Sequence, residues 1–252
     1  LEAAGIEDKV GVLSDEASLD HAGFFYAQSE CRPWITLKLA ASIDGKIATT
    51  RGESKWITGS SARHFVHNMR RKNDAIMVGS GTVISDDPSL SVRDLGNCIQ
   101  PCRIVLSSNL EIPVKSNLTK TIHEQPVWIF HSNEVSEDRK SEWLEIGAKL
   151  FECHVDNFGI SIKDVMQKLS EKGITRLLCE GGGTLAASLI RSELVDEIVT
   201  FHGGLTIGAD GFSSIGNLGV CSLNEAKRWR LDRTLSFGDE VLNIWHPTNE
   251  YI

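Results

Sequence analysis

The sequence predicts an α/β fold built on a mixed β-sheet. Three features of the 252-residue chain lead to this prediction. Segments with the two-residue alternation of strands take turns with segments that have helical apolar spacing, which is the pattern of a sheet flanked by helices. The last two predicted strands, at 229–235 and 241–245, lie close together and are expected to form an antiparallel hairpin. Apolar residues make up 41% of the chain and charged residues 24%, a balance that argues against extended disorder.

The first long strand is predicted at residues 34–41, after the boundary marked by Arg32-Pro33. Apolar and polar positions alternate there, so one face of this strand is expected to be buried. One face carries Ile35, Leu37 and Leu39, and the other carries Thr36, Lys38 and Ala40. The segment 42–46 is predicted to turn the chain.

A helix is predicted from Ser60 or Ser61, either of which could cap it, to about Lys72. Its apolar stripe has the spacing i, i+3, i+4, i+7 and consists of Ala62, Phe65, Val66 and Met69. A second helix follows Gly79 and is expected to stop at Asp86-Asp87-Pro88. The other predicted strands are at 75–78, 103–106, 127–130, near Leu150, at 174–179 and at 198–202, and the other helices at 16–25, 137–146, 160–172 and 184–191.

Composition narrows the class of protein. The net charge of −8 argues against a strongly basic nucleic-acid-binding protein. The six cysteines include no CxxC pair and are too sparse for a disulfide scaffold, so reduced thiols in a soluble intracellular protein are expected. No apolar run approaches the roughly 18–20 residues of a membrane span, so no membrane contact is expected.

Two glycine-containing loops are predicted where a strand is followed by a helix. The first is Gly79-Ser80-Gly81-Thr82 and the second is Glu180-Gly181-Gly182-Gly183. Glycines let backbone N–H groups approach a phosphate, and a helix N-terminus adds partial positive charge. Tight turns between strands and helices also use glycine, so a single loop is weak evidence. Two in one chain favour a dinucleotide site.

Several side chains near these loops are candidates for chemistry, and each has a structural alternative. Lys38 either points into a cleft or is a solvated lysine on an edge strand. Glu180 either faces a ligand or caps the next helix. Arg70 and Arg93 either clamp a phosphate from separate segments or are surface residues, and neither has a carboxylate at helical spacing within a predicted helix. Trp56 is either part of the core or part of a site.

Other motifs that carry chemistry are absent from the sequence. There is no GxGxxG, GxxxxGK[ST], GxSxG or HExxH, which disfavours a standard Rossmann domain, a P-loop NTPase and an α/β-hydrolase. Cys98 and Cys102 have no second pair to complete a zinc site, and no deaminase HxE signature is present. We therefore expect no bound metal and no deaminase activity.

Four separated motifs resemble one known family. Trp34-Ile-Thr-Leu-Lys-Leu-Ala-Ala-Ser-Ile-Asp-Gly-Lys46, Gly52-Glu-Ser-Lys-Trp-Ile-Thr58, Ser85-Asp-Asp-Pro-Ser-Leu-Ser-Val-Arg93 and Glu180-Gly-Gly-Gly-Thr-Leu185 occur in this order. Together they resemble the reductase half of the bifunctional riboflavin biosynthesis deaminase/reductase, over about residues 32–246. The resemblance implies a dihydrofolate reductase-like mixed sheet flanked by helices, NADPH as cofactor and a homodimer. It also implies that residues 1–31 are the tail of a truncated or lost deaminase-like domain and that 32–252 form the reductase domain.

The resemblance assigns residues to the reduction of 5-amino-6-(5-phosphoribosylamino)uracil to its ribitylamino product. The positions matching cofactor contacts are Ala40, Trp56, Thr82, Asp86, Ser108, Gly182, Gly183, Thr184 and Leu185, the last four within the run 182–188. The positions matching substrate contacts are Ser54, Arg70, Leu90, Arg93 and Glu180. Arg70 and Arg93 would hold the ribose 5′-phosphate. Lys38, Glu180 and Asp86 are the ionisable candidates for proton transfer, and the sequence does not decide among them.

The sequence also departs from the family pattern. Ser107-Ser108 stands where the family commonly has Asp-Ser, which should ease the approach of the 2′-phosphate of NADPH. Two other functions fit the same residues: a reductase that acts on the 2,5-diamino pyrimidinone before deamination, and a catalytically silent nucleotide-binding scaffold. The expected location is the cytoplasm for a bacterial protein and the plastid for a plant protein.

Overall fold

Short apolar and β-branched runs form the strands of the protein. In a computed structural model, which describes residues 2–248, they build one large sheet and two small ones. Residues 1 and 249–252, which include the outer bounds of the two predicted domains, lie outside the described range. The strands are β1 Trp34–Ser42, β2 Lys46–Ala48, β3 Ala75–Gly79, β4 Cys102–Leu106, β5 Val127–Ser132, β6 Lys149–Cys153, β7 Val155–Asp156, β8 Gly159–Ile160, β9 Arg176–Cys179, β10 Glu197–Gly203, β11 Phe212–Ser213, β12 Trp229–Phe237 and β13 Glu240–Pro247.

Helices follow most strands of the large sheet. They are α1 Ser14–Asp20, α2 Ala22–Ser29, α3 Ser60–Arg71, α4 Ser80–Asp86, α5 Asn117–Lys120, α6 Glu137–Glu145, α7 Ile162–Glu171 and α8 Gly183–Arg191. A 3-10 turn at Glu2–Ala4 precedes them. The single helix predicted at 16–25 is therefore two helices, separated at His21.

The large sheet has nine strands in the order β12-β13-β10-β1-β9-β3-β4-β5-β6. Every neighbouring pair from β10 to β6 is parallel. The last two strands pair antiparallel with each other, and β13 pairs antiparallel with β10. The predicted mixed sheet with a terminal hairpin is thus confirmed.

Helices cover both faces of this sheet. One face buries Leu37, Met77 and Cys179 against α7 and α8, through residues such as Met166 and Leu189. On the other face α3 buries Ala62 and Val66 against Val199, Phe201 and Leu242, as its apolar stripe predicts. Trp143 of α6 and Leu118 of α5 pack against Val78, Val105 and Ile129 on that second face. Lys38 has its neighbours in sequence, Leu37 and Leu39, on the first face, so its own side chain lies on the face that α3 covers.

The start of α3 differs from the prediction in one detail. Its N-cap is Gly59, and neither Ser60 nor Ser61 caps it with a side chain. The Gly59 amide donates instead to the carboxylate of Glu240, at the start of β13. A tertiary contact from the C-terminal hairpin thus replaces a local cap.

No helix within residues 2–248 is long and apolar enough to cross a membrane. All six cysteines are free thiols, as predicted. Cys102, Cys153 and Cys179 are buried, and burial raises the pKa of each thiol to about 12. These three thiols are therefore held in the unreactive protonated form.

Candidate active site

The two glycine loops lie side by side at the carboxyl edge of the sheet. They do so because β3 and β9 are neighbours, with Met77 opposite Cys179, and each strand runs directly into its loop. The Glu180 amide donates to the Met77 carbonyl at 2.9 Å and continues this pairing by one residue. The carboxyl edge of a parallel sheet is where α/β proteins bind ligands, so the predicted loops meet at a suitable place.

The space around each glycine differs along the loops. A methyl group at Gly79 or Gly81 would meet nothing within 4 Å, so the backbone is open to a ligand there. At Gly182 it would lie 3.8 Å from the Thr82 hydroxyl, which shows how close the two loops are. At Gly183 it would lie 2.4 Å from the Ser213 carbonyl oxygen, so only glycine fits. Gly183 begins α8, whose first amides face the same edge.

Lys38 lies on a central strand, because β1 pairs with β10 on one side and β9 on the other. The alternative of a solvated edge-strand lysine is therefore wrong. Its ammonium group donates no hydrogen bond to any group within residues 2–248 and lies 5.8 Å from the centre of the Phe201 ring. The pKa of Lys38 is lowered, chiefly by burial and further by Arg70, whereas Glu180 opposes the shift.

Glu180 and Arg70 form a two-pronged ion pair. Arg70 Nε and Nη2 donate to the two carboxylate oxygens at 2.6 and 2.9 Å. The side chains are only 8% and 13% exposed, respectively, so solvent screens the pair weakly. Burial alone would raise the pKa of Glu180, but Arg70, and then Lys38 and His67, outweigh it and lower that pKa. The pKa of Arg70 is raised, because the attraction of Glu180 outweighs burial, which alone would lower it.

This pair decides between the alternatives stated for its two members. Arg70 has no carboxylate at helical spacing, as the sequence indicated, but it has a partner 110 positions away and is not a surface residue. The alternative that Glu180 caps α8 is wrong, because its carboxylate accepts from Arg70 and from no amide of α8 within the described residues. Instead, α3 brings Arg70 over the end of β9, and the two charges compensate each other in the partly dry space between helix and sheet.

The segment 87–93 carries the other predicted substrate residues. Arg93 is exposed, and its guanidinium has no hydrogen-bond or ion-pair partner within the described residues. Leu90 has a φ of 52°, is only 2% exposed as a whole residue and packs its side chain in the core. Its carbonyl accepts a hydrogen bond from Gln125 at 3.1 Å, so the structure leaves little of Leu90 open to a ligand.

The remaining predicted positions lie in separate segments of the chain. Ser54 is half-buried in the loop before α3 and Ala40 lies near the end of β1. Trp56 is 70% exposed, so the alternative that it belongs to the core is wrong, and the Arg63 guanidinium stacks on its ring at 4.4 Å. Asp86 is exposed at the end of α4 and, within the described residues, forms no hydrogen bond or ion pair with Lys38, Glu180 or Arg70.

Ser107 and Ser108 directly follow β4 and differ in their exposure to solvent. Ser107 is 1% exposed and its hydroxyl finds no partner within residues 2–248. Ser108 is exposed, and its hydroxyl would be 3.9 Å from a methyl group at Gly159. Only Ser108 can therefore face a ligand at this edge.

One residue of this site was missed by the sequence prediction. His67 precedes Arg70 by three positions on α3 and therefore lies on the same flank of the helix. Its Nδ1 accepts the backbone N–H of Arg93 at 3.3 Å. That i, i+3 spacing to a candidate arginine is the signal that could have singled it out.

The described residues include no group of three or more His, Cys, Asp or Glu side chains placed to hold a metal ion. The polar group at the sheet edge consists instead of one unpaired lysine, one arginine–glutamate pair, a histidine and a free arginine.

Together, the sheet order, the paired glycine loops and the polar group beside them define an α/β domain of the dihydrofolate reductase type. The fold is shared with dihydrofolate reductase from Enterococcus faecalis, at a TM-score of 0.50 and 15% identity over 86% of this chain and 97% of that chain. This likeness concerns the fold alone.

The chain belongs to the RibD C-terminal domain family, whose sequence profile matches residues 33–243. It is 37% identical over 243 residues to the riboflavin biosynthesis protein RibD of Aquifex aeolicus, an alignment that covers 96% of this chain and 65% of that protein. The chain thus spans about two thirds of the length of this relative.

Solved structures agree with this family. RibD of Acinetobacter baumannii superposes with a TM-score of 0.85 at 28% identity, over 99% of this chain and 67% of that one. A diaminohydroxyphosphoribosylaminopyrimidine deaminase/5-amino-6-(5-phosphoribosylamino)uracil reductase from Thermotoga maritima gives 0.79 at 26%, over 94% and 63%. These relatives are bacterial, so they offer no support for the plastid expectation.

Proposed function

We propose that the chain is an NADPH-dependent reductase that converts 5-amino-6-(5-phosphoribosylamino)uracil to 5-amino-6-(5-phosphoribitylamino)uracil. The observation that carries the proposal is the juxtaposition of Lys38, Glu180 and Arg70 with two glycine loops at one sheet edge, the first of which has open backbone. The Thermotoga maritima relative, whose name includes this reductase activity, supports the choice of substrate.

The residues present at the sheet edge fit a dinucleotide cofactor. The open backbone at Gly79 and Gly81 and the N-terminus of α8 at Gly183 suit a diphosphate, since both offer N–H groups with no side chain in the way. Thr82 is half-buried in the first loop segment and Thr184 is exposed at the start of α8, whereas the Leu185 side chain is buried in the core. These three residues, with Ala40, Trp56 and Asp86, form the proposed contact set. Ser108 is the residue proposed to meet the 2′-phosphate.

The substrate is proposed to lie between the ion pair and Arg93. The exposed guanidinium of Arg93 would bind the 5′-phosphate, and Ser54 and Leu90 belong to the same proposed contact set. Arg70 remains part of this proposal, but its guanidinium is already engaged with Glu180 and with the Ser91 carbonyl at 2.9 Å. We therefore assign the larger share of phosphate binding to Arg93.

The chemistry requires an electrophilic C1′ and a proton. Opening the ribose ring gives C1′ imine character, and ring opening or reduction leaves an oxygen or nitrogen that must be protonated. When bound, NADPH supplies the hydride to C1′. The chain's part is to hold the two reacting carbons within about 3.5 Å of each other and to exclude water.

Lys38 is the proposed proton donor among the three candidates. Glu180 is held as a carboxylate by Arg70 and has no proton to give near neutral pH. Asp86 is exposed to solvent and forms no hydrogen bond or ion pair with the polar group within the described residues. Lys38 has a free ammonium group and a lowered pKa, which brings it closer to the value at which proton transfer is efficient.

The decisive test follows the loss of NADPH absorbance with the purified chain and enzymatically prepared substrates. We expect turnover with the uracil substrate. Faster turnover with the 2,5-diamino pyrimidinone would replace the proposed substrate by its alternative. Binding of NADPH without turnover of either compound would instead favour a catalytically silent scaffold.

Cofactor choice has its own test at Ser108. We expect NADPH to bind more tightly than NADH, and Ser108→Asp to weaken NADPH binding about tenfold or more by placing a carboxylate beside the 2′-phosphate. NADH affinity and the affinities of Ser108→Ala serve as controls in fluorescence titrations. Equal losses for both cofactors would remove Ser108 from this role.

The homodimer and the division of the chain at residue 31 also belong to this proposal. Analytical ultracentrifugation at several protein concentrations would measure the assembly state. A monomer at micromolar concentration with full activity would contradict the dimer.

A further inference from the structure

Four side chains bind the main chain of the loop that precedes Arg93. The carbonyls of four successive residues each accept a side-chain hydrogen bond. Ser89 accepts from Arg103 at 3.4 Å, Leu90 from Gln125 at 3.1 Å, Ser91 from Arg70 at 2.9 Å and Val92 from Gln100 at 3.1 Å. The main chain of the loop is thus fixed from Ser89 to Val92, and Arg93 lies just beyond these four contacts.

His67 supplies that last attachment. Its Nδ1 accepts the Arg93 backbone N–H at 3.3 Å, from one turn of α3 before Arg70. No other hydrogen bond to Arg93 exists within the described residues, and the Arg93 side chain extends free of partners. Within the described residues, the imidazole of His67 is thus the one group that binds the main chain of Arg93.

We propose that His67 is a positioning residue: its neutral imidazole fixes the main chain of Arg93 so that the guanidinium is presented to the substrate phosphate. This inference rests on the proposed function, in which Arg93 binds that phosphate. His67 itself need not touch the substrate.

The charges around His67 keep it in the form this role requires. Burial lowers its pKa most, and Arg70 and Arg93 lower it further, while Glu180 and the Ser91 main chain act in the opposite direction. A protonated imidazole would lose the acceptor at Nδ1 and add a third positive charge beside two guanidiniums. The contact is therefore fully present above about pH 6.5 and is lost as the pH falls through the lowered value.

Two substitutions distinguish the hydrogen-bond acceptor of His67 from the rest of its imidazole ring. His67→Ala removes the acceptor, whereas His67→Asn places an amide oxygen near the position of Nδ1 and does not titrate. His64→Ala is the matched control, because His64 is exposed one turn earlier on the same helix and its side chain makes no hydrogen bond within the described residues.

The first measurement does not depend on catalysis. Amide hydrogen exchange at Arg93, followed by NMR at pH 7.5, should be about five- to tenfold faster in His67→Ala than in the wild type, as expected for loss of one hydrogen bond. It should be unchanged in His64→Ala and largely restored in His67→Asn. Equal protection in all four proteins would overturn the proposal, whether or not the chain is a reductase.

The second measurement uses turnover of the uracil substrate. His67→Ala should raise KM about five- to tenfold with little change in kcat or NADPH affinity, and His67→Asn should recover most of the loss. Between pH 7.5 and 5.5 the KM values of both the wild type and His67→Asn should rise, because the substrate phosphate titrates. The wild-type KM should rise more steeply, because only the wild type has a titrating side chain at position 67. A fall in kcat at constant KM, or no rescue by Asn, would contradict a positioning role. Failure of the proposed function would show instead as no turnover by any of the proteins.

Discussion

At the residue scale, the site depends on which charges are paired. Arg70 and Glu180 neutralise each other, and Arg93 and Lys38 are left as the cations without a partner inside the described chain. Paired buried charges fix geometry, whereas unpaired cations at a cleft are available to a ligand. This difference separates residues that shape the site from residues that are proposed to act on the substrate.

Arg93→Ala should lower kcat/KM about 10–100-fold, mainly through KM, because one or two charge-assisted contacts to a phosphate are lost. NADPH affinity should hardly change. Arg71→Ala, an exposed arginine at the end of α3, is the control and should have little effect. Steady-state kinetics on both variants decide; a normal kcat/KM in Arg93→Ala would place the phosphate elsewhere. Arg70→Ala is a poorer test, since it leaves Glu180 buried without its partner.

Lys38→Met should lower kcat about 10²–10⁴-fold, since a general acid contributes a factor of this size. In the wild type, kcat should decline as the pH rises through the lowered pKa of Lys38, well before its ordinary value near 10.5 is reached. Stopped-flow pH profiles would show this limb, and Lys163→Met on α7 is an exposed lysine for comparison. A near-normal kcat in Lys38→Met would exclude Lys38 as the donor.

At the scale of elements, the site is made by two strand–loop–helix units that lie next to each other. β3 with α4 and β9 with α8 bring their glycine loops close together, because a methyl group added at Gly182 would lie 3.8 Å from the Thr82 hydroxyl. The second loop is also locked by its neighbours, because the Gly216 amide donates to the Gly183 carbonyl at 2.9 Å. The same glycine therefore serves packing and the presentation of α8.

Gly183→Ala should reduce the free energy of unfolding by about 1–3 kcal/mol, because its methyl group would overlap the Ser213 carbonyl and force the backbone to shift. Gly81→Ala is the contrasting variant. Its methyl group meets open space on α4, where alanine is favoured over glycine by about 1 kcal/mol, so stability should hold or rise. Thermal unfolding measures both. A Gly183→Ala protein as stable as the wild type would show that the segment 213–216 yields easily.

At the scale of the whole molecule, charge pairs join parts of the chain that are distant in sequence. Arg70 of α3 binds Glu180 after β9, and Arg32 before β1 binds Asp196 before β10 at 2.7 and 2.8 Å. The first pair lies at the carboxyl edge of the sheet and the second at the opposite edge. The first pair attaches α3 to the end of β9, so it connects stability with the geometry of the site.

Glu180→Gln should lower the free energy of unfolding at pH 7 by roughly 3–5 kcal/mol, since it leaves a buried guanidinium without its counter-ion. Because the folded pKa of Glu180 lies below its ordinary value of 4.5, the wild-type advantage is complete above that value. It should shrink as the pH falls through the lower folded value.

Urea unfolding at pH 7, 4 and 3 measures this effect, with Glu134→Gln as the control at an exposed glutamate that forms no ion pair within the described residues. A stability difference between wild type and Glu180→Gln that stays constant down to pH 3 would contradict the linkage.

Much of the fold followed from local patterns. Alternation in 34–41 and the stripe Ala62, Phe65, Val66 and Met69 are set by neighbours in the chain, and both elements lie where they were predicted. The short elements β2, β7, β8, β11 and α5 were not predicted, because two to four residues are too few to show a period. The two glycine loops could also be located from the sequence, because their glycines directly follow predicted strands in the chain.

Local patterns in the sequence predict the long elements, the glycine loops and the family motifs. Strand order and packing, by contrast, establish that Lys38 lies on a central strand, that Arg70 pairs with Glu180 and that His67 binds the main chain of Arg93. The physical reason is that periodicity records which face of an element is buried, whereas the partner of a polar side chain depends on strand order. Here β1 lies between β10 and β9, and α3 crosses the same face, so residues 110 positions apart meet.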